Sequence, residues 1–464
     1  MIYYQIRIRF FPSYIMKFSL WEAKRLLQLA TPVFFAQIIL VLMSVVDTMM
    51  AGQVSANDLA ALSIATGVLN PVIFSLQGIL LALTSVVAHC HGAKDKKGIK
   101  HYFQQSLFLV AILSALVFLF PFITPFIFSK LGAKAEIINT SQDYIEYVKW
   151  GVLGFLVFNV YRNVSEGIGL TKVTFYISII GLFVNIIANY IFIYGKLGMP
   201  AMGAAGCGVA TSLVACAMAF SQFIYSFNSR KLNGRWLVSR FEKPNFNSIL
   251  YLIKLGFPIS MATFFEVTLF ACIPLFIADL GAVMVSGHQI AASVTAVLFM
   301  MPLSLSMAIA IRVGNLSGQQ AYTQLKTAIF TSFCLAAMIA FFVAFVTFIL
   351  REPVTYLYTQ NEQVAQLAMG IIILACFYQL PDALQVAASG VLRGLKHTQP
   401  IMGITFVSYW LIGFALGYVL AKTNWLVEPM GAKGFWIGII VGLSVAACLL
   451  LISVRIRFAK MASD

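Results

Sequence analysis

Charge is what this sequence has least of. Only 10% of its 464 residues are Asp, Glu, Lys or Arg, where a soluble domain carries about 25%. With 61% hydrophobic residues and a mean hydropathy of +0.91, the shortage excludes a soluble enzyme of any fold. It also excludes a disordered chain, which needs high charge and low hydrophobicity. Acids are scarcer than bases, 16 against 31, so the net charge is +15. The seven cysteines (Cys90, Cys207, Cys216, Cys272, Cys334, Cys376, Cys448) form no CxxC pair and are odd in number. They indicate neither a disulfide framework nor a zinc site, and are expected to be small core residues. HExxH and GxGD sequences are absent, and Gly442-Leu443-Ser444 is too short to mark a serine nucleophile. An intramembrane enzyme is therefore disfavoured. So is a channel, since no filter-like loop repeats.

Long apolar runs are abundant instead. Twelve of them span approximately 26–53, 59–88, 102–128, 141–166, 173–196, 203–227, 249–279, 285–311, 325–350, 364–390, 400–421 and 434–454. Each meets the roughly 20 residues that a helix needs to cross a bilayer. The first is too long for a cleaved signal peptide and is interrupted by Pro32 and Asp47. The fold class expected is an all-α membrane protein of twelve transmembrane helices. An even number of spans puts both termini on one side, and 24 of the 31 basic residues fall there, among them Arg162, Arg312 and Arg393 as loop residues. The positive-inside rule then makes that side cytoplasmic. Much of the positive charge is thus topology, and a nucleic-acid partner is not implied.

The two halves repeat. LLQLATP at 26–32 matches LIKLGFP at 252–258, the basic loop after Gly92 matches that after Gly318, and MGAAG at 202–206 matches MGAKG at 430–434. The offsets stay between 226 and 228. Six spans per half make the repeat parallel, with its pseudo-two-fold axis along the membrane normal. The expected division is a segment 1–25, a six-helix bundle 26–229, a basic linker 230–248, a second bundle 249–456 and a tail 457–464. Duplicated bundles suggest alternating access around a cavity between them. Pro32, Pro71, Pro258, Pro302 and Pro381 lie inside spans, where each removes a backbone hydrogen bond.

Three acids lie deep in the apolar runs: Asp47 in span 1, Glu266 in span 7 and Asp382 in span 10. A charge at a helix centre costs roughly 2.5–3.5 kcal/mol on insertion scales, so a bound cation, a proton or a cationic substrate is the natural partner. Tyr378 and Asp382 are four residues apart and share a helix face, with Pro381 between them freeing a carbonyl. Such oxygens suit Na⁺; alternatively, an apolar cavity favours the neutral carboxyl and lets it carry a proton. Asn185 and Asn189 are also four apart, either as amide partners of Asp47 or as helix-packing contacts. His288 and Gln289 are weaker candidates. Met300 and Met301 suit an adaptable apolar lining.

VDTMMAG at 46–52, SEGIGLTK at 165–172, NIIANYIFIYGKLGMPAMGAAGCG at 185–208, FFEVTLF at 264–270, GHQIA at 287–291 and ALQVAASGVLRGLKHT at 383–398 resemble the multidrug and toxic compound extrusion (MATE) family, in its NorM-like bacterial branch. The resemblance covers nearly all of the chain from about residue 20. It implies a V-shaped inner-membrane antiporter that expels lipophilic organic cations against inward Na⁺ or H⁺, with no other cofactor. It also implies a coupling site, which Na⁺ would occupy, at Glu266, Asp382 and Tyr378, and a second cation or substrate site at Asp47 and Asn185. The archaeal-type branch has an aspartate in span 5; this chain has Asn185 and Asn189 there, which weakens a purely N-terminal proton mechanism. A monomer in contact with membrane lipid is expected. The competing expectation is a flippase for a lipid-linked precursor or an exporter of an endogenous metabolite. An anionic cargo would call for basic residues deep in the spans, where this chain has acids. Residues 1–15 resemble nothing in the family, so translation from Met16 is expected to give an active protein.

Overall fold

The computed structural model describes residues 17–128, 135–232 and 234–463. The expectation about Met16 and the residues before it lies outside that range. The described chain is built on long helices: α1 (Leu20–Val54), α2 (Ala56–Gly92), α3 (Lys96–Phe118, continued by Phe120–Phe128), α4 (Ala135–Gly167), α5 (Thr171–Tyr194), α6 (Gly203–Asn228), α7 (Phe246–Ile277), α8 (Ala282–Gly318), α9 (Tyr322–Tyr358), α10 (Glu362–Gly394), α11 (Gln399–Lys422) and α12 (Ala432–Ser463). In lipid every backbone polar group must be satisfied internally, which is why apolar runs of this length become helices. Polar residues then mark the ends. Ser55 alone separates α1 from α2, and its hydroxyl accepts the Asp58 N–H at 3.0 Å. Asp95 and Asn245 cap α3 and α7 in the same manner.

Eleven of these helices are long and apolar enough to cross a membrane. The exception is α4, which the sequence places among the spans. It is as long as the others but carries Glu136, Asp143, Glu146, Lys149, Arg162 and Glu166. Its polarity has a physical reason: from Phe158 to Gly167 every residue is buried against α2, α3 and α6. Protein thus encloses Arg162 and Glu166, whereas Glu136 and Asp143 at the other end of the helix are exposed.

The helices form two lobes, α1–α6 and α7–α12, and the repeat is written into the backbone. Lys94 and Gln320, 226 apart, both adopt left-handed φ, at 58° and 56°. Gly203 and Gly431, 228 apart, do so at 54° and 58°. The lobes meet at one end. A Cβ on Gly92 would lie 2.0 Å from the Asn315 carbonyl, and one on Gly318 would lie 2.0 Å from the His89 carbonyl. These contacts are symmetry mates at the 226 offset, and only glycine permits them. Every side-chain hydrogen bond between the lobes among the described residues lies at this same end. Arg312 of α8 holds both oxygens of Glu22 of α1 at 2.9 and 2.6 Å, and Thr331 accepts the Ser19 N–H at 3.2 Å. The linker is clamped to α3 there, since Gln104 and Gln105 bond to the backbone of Leu237, Glu242, Lys243 and Asn245.

Three residues read from sequence as loop charges are buried inside helices. Arg162 pairs with Glu166 at 2.7 Å, Arg312 pairs with Glu22, and Arg393 donates to the Ser306 hydroxyl at 2.7 Å. Two of these helices, α8 and α10, run several residues past their apolar runs and Arg162 lies within its own, so the three charges are enclosed rather than looped. The cysteines also depart from expectation. Only Cys90 and Cys207 are buried, and Cys216 and Cys448 are exposed.

Candidate functional site

The five internal prolines leave their helices continuous. In α10, Pro381 has no N–H to give the Phe377 carbonyl, so a polar oxygen is freed one residue from the Asp382 level. Asp382 is fully buried and has no ion-pair partner among the described residues, and the Tyr378 hydroxyl lies close enough to interact with its carboxylate. Glu266 of α7, half-buried, lies within electrostatic range of it. The Tyr378 ring, one turn earlier on α10, is buried beside both acids. The C-terminal lobe therefore brings together the three residues that the sequence groups as Glu266, Asp382 and Tyr378.

Two further groups join them that sequence reasoning does not find. Tyr409 of α11 is buried close to both acids, and its hydroxyl has no partner. It sits on a π-helical stretch, Val407–Phe414, of the kind that marks functional sites. Trp410 in the same stretch donates to the Phe265 carbonyl at 3.2 Å, tying this widened turn to the residue before Glu266. Trp436 of α12 is fully buried, with its ring centroid 6.2 Å from that of Tyr378. The only sequence signal for Tyr409 is a tyrosine inside an apolar run, which is too common to single out.

His288 is an interior residue. Its Nδ1 accepts the Trp436 indole N–H at 3.1 Å, while Nε2 has no partner. Gln289, its neighbour, points elsewhere. It is exposed and lines a shallow cavity of about 380 Å³ with Tyr358 and Thr359, apart from the acids. Successive helical residues are about 100° apart, so His288 and Gln289 cannot face one site. Met300 and Met301 are half-buried on α8.

The N-terminal lobe handles its acid differently. Asp47 of α1 is half-buried, and one carboxylate oxygen accepts both the Asn185 amide at 2.8 Å and the Asn189 amide at 2.6 Å. Of the two readings open in the sequence, amide partners or helix packing, the geometry selects amide partners. Both asparagine carbonyls remain unpaired and buried.

The MatE family profile matches residues 32–191 and again 258–419, once in each lobe. The chain belongs to the MatE family. A multidrug resistance protein NorM of Vibrio vulnificus (strain YJ016) is 42% identical over 443 residues, covering 96% of this chain and 97% of that protein. A multidrug resistance protein MdtK of Yersinia pestis (strain Pestoides F) is 41% identical over 435 residues, covering 94% and 95%. Among solved structures, an outward-facing multidrug resistance MATE transporter has a TM-score of 0.85 at 21% identity, covering 96% of this chain and 97% of that one. A eukaryotic MATE transporter has a TM-score of 0.83 at 21% identity, covering 95% and 98%. These structures share its fold. A MatE protein with this two-lobed helical fold is a multi-pass membrane transporter and not an enzyme.

The donor set of the C-terminal lobe suits a hard monovalent cation. It offers two carboxylates and two phenol oxygens. The same carboxylates suit a proton equally well, because an unpaired buried carboxyl is most stable when neutral.

Proposed function

We propose that this MatE protein is a secondary active exporter of lipophilic organic cations, driven by Na⁺ or H⁺ binding at Glu266 and Asp382. The observation that carries the reading is Asp382, a fully buried acid with no ion-pair partner among the described residues, within electrostatic range of a second acid and of the Tyr378 hydroxyl. Ionised and alone, such a pair is costly to keep. An organic cation, Na⁺ or a proton relieves the cost, and the three compete because they neutralise the same charge. With the lobes open to the cytoplasm, the ionised pair attracts an organic cation. Aromatic walls such as Tyr378, Tyr409 and Trp436 add contacts that are indifferent to its exact shape. With the lobes open outward, Na⁺ or H⁺ takes the pair and the drug leaves. Asp47, with Asn185 and Asn189, holds a second site for cation or substrate. The names of the NorM and MdtK relatives support drugs as the cargo.

The end at which the lobes meet carries most of the basic residues, so we place it and both termini in the cytoplasm of a bacterium, with the protein acting as a monomer in the inner membrane. Residues 1–25 and 457–464 then form cytoplasmic ends, 26–229 and 249–456 the two bundles, and 230–248 a cytoplasmic linker. A reporter fused after Lys231 is expected to read cytoplasmic and one after Gln53 external, and the reverse at either point overturns the placement.

The deciding experiment uses proteoliposomes holding a fluorescent lipophilic cation, with an inward Na⁺ gradient and then an inward H⁺ gradient imposed. Efflux that follows one of them is expected. Efflux that follows neither, from correctly folded protein, rejects the antiport.

A further inference from the structure

A large cavity lies apart from the acid pair. It has a volume of about 1610 Å³ and lies at the end where the lobes meet, between the start of α1, the junction of α4 with α5, and the last turns of α2, α6 and α8. That volume exceeds the roughly 300–1,000 Å³ of most small-molecule sites. Its charge has one sign. Lys24, Arg25, Lys94, Lys172 and Arg312 line it, and no Asp or Glu does. Two acids next to the lining are already paired: Arg312 holds both oxygens of Glu22, and Arg162 and the Thr174 hydroxyl hold Glu166. None of Lys24, Lys94 and Lys172 has an ion-pair partner among the described residues. The first turn of α5 adds to this field. Thr171, Lys172 and Val173 line the cavity, and the preceding Leu170 offers no side-chain cap to their amides.

The walls below the basic rim are apolar. Leu27, Tyr176 and Ile180 line the cavity while remaining 41%, 60% and 44% exposed, so its side is open and apolar. A ligand matched to this shape carries phosphate at one end and hydrocarbon at the other. It is not the exported cation, which the unpaired lysines repel.

We propose that this cavity binds an anionic phospholipid. Its phosphate lies among Lys24, Arg25 and Lys172 at the start of α5, and its upper acyl chains lie along Leu27, Tyr176 and Ile180. A bound lipid would bridge α1 and α5 beside the Glu22–Arg312 pair that joins the lobes. Basic pockets between transmembrane helices recognise anionic head groups by this combination of charge and apolar wall. The inference does not depend on the direction or cargo of transport.

Native mass spectrometry of the full chain in neutral detergent tests it, with phosphatidylglycerol and phosphatidylcholine offered in equal amounts. Phosphatidylglycerol is expected to be retained at least about tenfold better, because several Lys and Arg lie near the phosphate. The combined Lys24→Gln, Arg25→Gln, Lys172→Gln variant is expected to lose that preference, and Lys172→Gln alone to lower it. A control variant, Lys97→Gln with Arg230→Gln and Lys231→Gln, removes as much charge outside the cavity and is expected to keep the preference. All six of these side chains are exposed, which favours folding of both variants, and a monodisperse gel-filtration profile is required of each. Equal retention of the two lipids overturns the proposal, as does an unchanged preference in the triple variant. So does full displacement of phosphatidylglycerol by millimolar inorganic phosphate, which would make the ligand a soluble anion.

Discussion

Asp47 in the N-terminal lobe receives hydrogen bonds from two buried amides, whereas Asp382 in the C-terminal lobe has no amide donor and faces a second acid and the Tyr378 hydroxyl. The lobes are otherwise repeats of one plan, down to paired left-handed turns at Lys94 and Gln320. At the 228 offset of the MGAAG and MGAKG segments, Gly413 and Gly417 stand where the N-terminal lobe has Asn185 and Asn189. The C-terminal lobe uses these positions for close packing: a Cβ on Gly438 would lie 2.3 Å from the Gly413 carbonyl and 2.5 Å from the Gly417 amide nitrogen. One lobe thus uses the position to hold its acid with two amide donors. The other packs it shut and leaves its acid pair without them. Duplication supplied the scaffold, and divergence at a few interior positions separated an acid held by amides from an acid pair without them.

Substitutions at the acids put this contrast to the test, and the largest effect is expected at Asp382. Asp382→Asn keeps the side-chain size and removes the charge, so ion-driven efflux should fall to background and Na⁺-dependent tryptophan fluorescence should vanish; Glu266→Gln should do nearly as much. Wild-type efflux in both variants rejects the C-terminal coupling site. A smaller effect is expected in the N-terminal lobe. Asp47→Asn should lower transport several-fold while calorimetry still registers ion binding, and the opposite outcome in the two lobes would make the N-terminal lobe the motor. Asn189→Leu sharpens the point, since a hydrogen bond to a charged group is worth about 1.5–3 kcal/mol. It should reproduce most of the Asp47→Asn defect and leave the ion signal of the other lobe untouched. The smallest changes are expected from Tyr378→Phe and Tyr409→Phe, which keep the rings and remove one oxygen each. Ion affinity in titrations should weaken only a few-fold, and an unchanged affinity in both would remove the phenols from the site.

Much of this molecule is legible in its sequence. The apolar runs, the internal repeat and the three deep acids follow from composition and spacing, because a bilayer penalises charge and rewards long helices. The grouping of Glu266, Asp382 and Tyr378, and of Asp47 with Asn185 and Asn189, is also present there as i, i+4 patterns and family motifs. Other features are not legible. Arg162, Glu166, Arg393 and the Glu22–Arg312 pair look like ordinary end-of-span charges, and only packing encloses them. Gln289 is as good a candidate by sequence as its neighbour His288, yet the helix turns it to the surface.

The sequence alone determined that this chain is a duplicated bundle of membrane-spanning helices with acids where lipid forbids them. That information is one-dimensional: hydropathy, period and offset are properties of the chain read in order. The tertiary structure decided which polar groups meet. It brought Tyr409 and Trp436 to the acid pair from helices 27 and 54 residues further along the chain than Asp382. It also left Asp382 without an amide donor, gave Asp47 two, and gathered lysines from two helices and a turn around one cavity. Burial and hydrogen bonding depend on distances between residues far apart in sequence, and only the packing of helix against helix sets those distances.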